Sequence, residues 1–170
     1  GKAGYDVHVG GVEAYSTLGW FRDPVLNTFL HRSDAELAEL LFHELTHQRL
    51  YLNGDTDFNE AFATTTGQEG ARRWLRSKGR FRELERYESD LKLEREFIQL
   101  VQQTRNRLDV IYQQTYRSSD VLRSLKRAEF ERLRLEAEAL KKQHGGGILV
   151  DRWFAKPVNN ARLNTLATYY

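Results

Sequence analysis

Cysteine is absent from the 170 residues, and so is methionine. Without cysteine there is neither a disulfide framework nor a thiolate metal site, so any metal must be held by nitrogen and oxygen ligands. A translation product begins with methionine, so a chain opening Gly1-Lys2-Ala3-Gly4-Tyr5 reads as processed or trimmed. Long apolar runs are also missing. No stretch approaches the roughly 18 consecutive apolar residues that cross a bilayer, and no signal-peptide pattern opens the chain. An excess of one charge is lacking as well, with Lys+Arg 26 against Asp+Glu 24 and a net charge of +2. A nucleic-acid binder would show a concentrated basic face, so no nucleic-acid partner is expected. The 40% hydrophobic content is that of a soluble globular protein, and 170 residues suffice for one domain with a real core.

Among what is present, Ser33 to Leu52 is the most informative stretch. Ser33-Asp34-Ala35-Glu36 has the spacing of a capping box. Leu37, Leu40, Leu41, Phe42 and Leu45 then read as the buried side of a helix from Asp34 to Leu52, stopped by Asn53-Gly54, both tolerant of the left-handed conformation. Inside it, His43-Glu44-Leu45-Thr46-His47 is the pattern H-E-x-x-H. Residues four apart share a helix face, so His43 and His47 can offer two imidazole nitrogens to one point. Zinc accepts such nitrogens in a tetrahedral site and, in catalytic centres, keeps one position for water. Glu44 is then placed to take a proton from that water.

A second helix is expected from Asp55 or Thr56 to Ser77-Lys78-Gly79, antiparallel to the first because the link is short. Its opening turns then lie beside the last turns of the first, where a third ligand is to be sought. Glu60, 13 positions after His47, is the candidate, whereas Glu69 would lie about 13 Å deeper along the helix. A competing reading stays open, because Asp57 and Glu60 also have capping-box spacing. Asn59 and Glu69 are candidates to orient a ligand histidine.

Upstream, Tyr5 to Leu18 reads as two strands around Gly10-Gly11, and Val25 to Leu30 as a short strand. Tyr15 to Gly19 is a candidate edge strand for a peptide, with a plain core hairpin as the alternative. Downstream, Arg80 to Gln143 carries long charged residues with apolar ones at helical spacing, broken at Arg117-Ser118-Ser119-Asp120. This predicts a helical hairpin in which Ser119 caps the second arm. Gly145-Gly146-Gly147 is a flexible break, and Ile148 to Phe154 opens a new ordered segment. The tail carries Asn159, Asn160, Arg162, Tyr169 and Tyr170, polar groups able to line a cleft.

Four segments together resemble a bacterial family of zinc aminopeptidases, a gluzincin-type group usually carrying a lipoprotein signal. They are Tyr5 to Pro24, Phe42 to Gln48 (Phe-His-Glu-Leu-Thr-His-Gln), Gly54 to Thr64 (Gly-Asp-Thr-Asp-Phe-Asn-Glu-Ala-Phe-Ala-Thr) and Asn159 to Leu163 (Asn-Asn-Ala-Arg-Leu). The resemblance implies Zn2+ bound by His43, His47 and Glu60, with Glu44 as general base. Asn59-Glu60-Ala61-Phe62-Ala63 is also similar to the Asn-Glu-Gly-Phe-Ala segment of the larger zinc aminopeptidases, although the gap from the second histidine is shorter here. It further implies a cell-envelope or periplasmic location, with membrane association only through a lipid anchor that this chain does not carry.

The expected fold class is therefore α+β, mostly α. A zincin-like core over 1–79 would combine the H-E-x-x-H helix, the glutamate-ligand helix and a small N-terminal β-hairpin or sheet. A helical hairpin over 80–144 and a C-terminal segment over 145–170 that packs back on the core would complete a single domain. The expected function is zinc-dependent hydrolysis of peptide substrates, aminopeptidase-like. Tyr169, Arg162 and Tyr51 are candidates to stabilise the oxyanion, and Glu13, Asp55 and Glu69 to hold a substrate's free ammonium. The alternatives are an endopeptidase of the same mechanism, or a non-catalytic helical interaction module retaining a structural zinc.

Overall fold

Ser33 opens the first helix as its spacing predicts. Its hydroxyl accepts from the Glu36 N–H at 3.3 Å, while the Glu36 carboxylate accepts from the Ser33 N–H at 2.7 Å. The computed structural model describes residues 6–9, 32–114 and 118–167. Among them six helices follow: α1 (Asp34–Arg49), α2 (Thr56–Ser77), α3 (Phe81–Tyr112), α4 (Ser119–Gln143), α5 (Ile148–Phe154) and α6 (Asn160–Ala167). None of these is long and apolar enough to cross a membrane.

The α+β expectation is corrected by this inventory: the described residues form helices and no strand. Most of the expected Tyr5–Leu18 hairpin and the whole Val25–Leu30 strand lie outside the described residues. The described part of the first strand, residues 6–9, is irregular. Its polar groups are taken by helix ends and side chains rather than by a ladder. The Val7 carbonyl accepts from the Asn159 side-chain amide at 3.1 Å, and the Asp6 carboxylate accepts from the Asn160 N–H at 3.1 Å and from Lys126 at 2.7 Å.

The chain divides into two compact units, Gly10–Glu88 and Gly1–Val9 with Ser89–Tyr169. α3 contributes about two turns to the former and the rest to the latter. In the first unit α1 and α2 lie side by side. α2 buries Ala63, Gly67 and Ala71, small residues at helical spacing that let another helix approach closely, and Leu75 one turn further on. A Cβ on Gly67 would stand 2.8 Å from the Glu39 carbonyl oxygen, and one on Gly70 would stand 2.5 Å from the Phe42 ring, so both positions exclude any larger side chain without a shift. Leu84 and Tyr87 of α3 are buried too, and the Tyr87 hydroxyl donates to the Glu39 carboxylate at 2.7 Å.

Leu41 and Leu45, expected on the buried side of α1, are instead 55% and 52% exposed, while Ala35, Thr46 and His47 are the buried residues. The glycine-lined face of α2 leaves room for the side of α1 that carries Ala35, Thr46 and His47. α1 also stops at Arg49 rather than at Leu52, with Leu50 extended, and Gly54 supplies the left-handed turn at φ 86.

The second unit has its own core. Leu93, Phe97, Val101 and Leu108 of α3 pack with Leu133 and Ala137 of α4, Val150 and Trp153 of α5, and Leu163 of α6. The Phe97 ring meets Trp153 edge to face at 5.3 Å between centroids. Arg107 of α3 donates to Glu129 of α4 at 2.7 Å. Ser118, one residue before the expected cap, accepts from Val121 N–H and starts α4. Asn159 starts α6, its carbonyl side-chain oxygen accepting from Arg162 N–H at 2.9 Å.

Candidate metal centre

α1 presents His43 and His47 one turn apart, and both rings turn their Nε2 atoms to the same point, 3.1 Å from each other. α2 brings Glu60 to that point from the other side. One of its carboxylate oxygens lies 3.3 Å from His43 Nε2 and the other 3.5 Å from His47 Nε2. The loop between the helices places the carboxylate there because Asp55 caps α2, accepting from Phe58 N–H at 3.1 Å. The Asp57–Glu60 capping box is therefore not formed, and Glu60 is released for the histidines.

These three donors suit a cation. Two imidazole nitrogens and a carboxylate at such separations can share a proton or a metal ion. Ligands at about 2.0–2.1 Å in a tetrahedral zinc site stand about 3.3–3.4 Å apart. The three separations bracket that edge. Their ligand atoms form the group of titratable side chains, within 4.8 Å of one another, able to hold a metal ion among the described residues. The histidine side of the cluster is the drier one, with the His47 side chain 7% and the Glu60 side chain 39% exposed.

Glu44 follows His43 on α1, and its Oε2 is buried without a hydrogen-bond partner among the described residues. His47 Nδ1 is likewise buried and unpartnered. Neither Asn59 nor Glu69 performs the histidine-orienting role expected of it. Asn59 bonds the backbone of Leu52 at 2.8 Å. Glu69 accepts from Arg73 at 2.9 Å, and this bond, with the nearby Arg72, holds its carboxyl below the usual carboxylate range. Tyr51 lies beyond the end of α1, half exposed, with its ring edge toward His47 at 6.4 Å between centroids.

The two remaining candidates are placed differently. Tyr169 lies outside the described residues. Arg162 belongs to the second unit, where it is buried beside Trp153, donates to the Arg152 carbonyl at 3.4 Å and has no partner for Nη1 among the described residues. Burial lowers the pKa of its guanidinium. Among the residues that sequence reasoning overlooked are Gly67 and Gly70, which let α1 and α2 approach closely. Their signal is the recurrence of small residues at helical spacing, which a search for large apolar ones passes over.

Comparison with known proteins finds no match among curated proteins or solved structures. One family model, described as "Putative aminopeptidase", matches residues 1–170. With its three metal-competent donors in place and that match covering the full length given, the chain belongs to this aminopeptidase family.

Proposed function

We propose that the protein is a zinc metallopeptidase that cleaves peptide bonds, with His43, His47 and Glu60 as the metal ligands and Glu44 as the general base. The observation that carries this reading is the convergence of two imidazole nitrogens and a carboxylate at 3.1–3.5 Å from one another. A bound zinc ion would supply Lewis acidity, polarising the scissile carbonyl and lowering the pKa of a water toward about 7. Glu44 takes a proton from the attacking water and passes it to the nitrogen of the departing amine. Its buried and unbonded Oε2 supports that role, since a carboxylate oxygen saturated by protein donors would be a poor base.

Aminopeptidase action requires an acid to hold the substrate's free ammonium. Of the three candidates, Asp55 is engaged in capping α2, Glu69 is bonded to Arg73, and Glu13 lies outside the described residues. The engagement of two of them favours endopeptidase action as the second reading. Metal analysis of protein purified without chelator, followed by assays on peptides with free and with blocked N-termini, tests both. One zinc per chain and cleavage of free N-termini alone are expected. Substoichiometric zinc would overturn the metallopeptidase reading, and equal cleavage of blocked peptides would replace aminopeptidase by endopeptidase.

A further inference from the structure

Asn59 is the neighbour of Glu60 in sequence but faces another way. It is 3% exposed, and its side-chain amide pairs with the backbone of one residue in the link between α1 and α2. Its Nδ2 donates to the Leu52 carbonyl at 2.8 Å, and its Oδ1 accepts from the Leu52 N–H at 2.8 Å. The same carbonyl accepts from Asp55 N–H at 3.3 Å, next to the first residue of α2. A planar contact of two opposed bonds restrains sliding and rotation together, which a single bond does not. Consecutive residues of a helix point about 100° apart. Anchoring Asn59 against the link therefore also fixes the direction of the Glu60 carboxylate.

We propose that Asn59 is a positioning residue of the metal centre, which sets the register of α2 against the end of α1 and so holds Glu60 opposite His43 and His47. This rests on the metal-binding reading above. Among the described residues His47 Nδ1 has no hydrogen-bond partner, whereas Glu60 lies next to the doubly bonded Asn59. Asn59 touches none of the ligand atoms; it acts through Glu60.

A double-mutant cycle tests this with the full chain. Zinc affinity is measured by competition with a chromophoric chelator for the wild type, Asn59→Ala, Glu60→Ala and the double variant, with far-UV circular dichroism as the check on folding. Asn59→Ala is expected to weaken zinc binding about 10- to 100-fold. In the Glu60→Ala background it is expected to change nothing, because the ligand it holds is already gone. Loaded with cobalt, Asn59→Ala should take on the visible spectrum of cobalt-loaded Glu60→Ala. An equal loss of affinity in both backgrounds, or no loss with Glu60 intact, overturns the proposal. Should Asn59→Ala fail to fold, Asn59→Ser, whose hydroxyl cannot make both bonds, enters the same cycle. Failure of both to fold overturns the proposal in favour of a purely structural role. A wild type that binds no zinc, or a Glu60→Ala variant that binds as tightly as the wild type, refutes instead the metal reading on which the proposal rests.

Discussion

A polar atom buried without a partner costs about 1–3 kcal/mol, and among the described residues Glu44 Oε2 and His47 Nδ1 are two such atoms, both on the helix that carries the histidine pair. Neither follows from the five-residue pattern, which specifies identity and spacing but not whether a neighbouring side chain occupies the oxygen. For Glu44 that difference bears on function. Glu44→Gln keeps the size and burial of the side chain and removes its basicity. It is expected to retain one zinc per chain while kcat/KM on a cleavable peptide falls about 10²- to 10⁴-fold. Peptidase kinetics beside metal analysis measure this, and undiminished turnover in a zinc-loaded variant would remove Glu44 from the role of base. The three clustered side chains were legible residue by residue: His43 and His47 from the one-turn spacing, and Glu60 from its place near the start of the next helix. The cap expected at Asp57 falls instead to Asp55, whose carboxylate accepts from Phe58 N–H.

The contact of α1 with α2 governs the element scale. Gly67 sits where a Cβ would press on the Glu39 carbonyl oxygen at 2.8 Å and on His43 Cβ at 3.3 Å. Overpacking costs about 1–3 kcal/mol, whereas alanine in place of glycine gains about 1 kcal/mol of helix propensity. Because the obstacle is backbone, the strain should win. Gly67→Ala is expected to lower the urea unfolding midpoint and weaken zinc binding together. A variant as stable as the wild type with unchanged affinity would mean that the helices tolerate a wider spacing. In the second unit, the hydrogen bond from Lys126 holds the Asp6 carboxyl below its ordinary value of 3.8, assisted by the Asn160 N–H and opposed by burial. A folded-state pKa below the unfolded one contributes stability above the unfolded value, and that contribution is lost as pH falls through the folded one. Between neutral pH and about pH 3 the wild type should therefore lose more stability than Asp6→Asn, whose side chain does not titrate. Denaturation midpoints at the two pH values give the comparison, and identical losses would show that the Asp6 bonds contribute nothing. Helix starts were largely legible because a cap is a local signal. The face that a helix buries was not, as Leu41 and Leu45 show, since the partner surface selects it.

For the whole molecule, ligand binding and folding are coupled. A metal that binds only the folded chain stabilises it by about 2.7 kcal/mol at a free concentration 100 times its Kd. Zinc is therefore expected to raise the thermal midpoint, a chelator to reverse the rise, and Glu60→Ala to show little response to either. Differential scanning calorimetry reads all three, and a midpoint indifferent to zinc in the wild type would argue against a folded-state metal site. The chain divides into two compact units, and the second owes its core to residues scattered over α3, α4, α5 and α6. The segment Asn159 to Leu163, read in sequence as polar groups for a cleft, spends Asn159 and Asn160 on capping α6 and on bonds to Val7, Asp6 and Tyr112. By itself the sequence determined that helices occupy these stretches, the H-E-x-x-H pair and Glu60 as the carboxylate to seek beside it, because caps, turn periodicity and short links act over a few residues. Only the tertiary structure decided that residues 6–9 form no strand, that glycines set the helix contact, and that Asn59 serves the link rather than a histidine. Each of these depends on which distant group satisfies a backbone or side-chain hydrogen bond, and spacing along the chain does not carry that information.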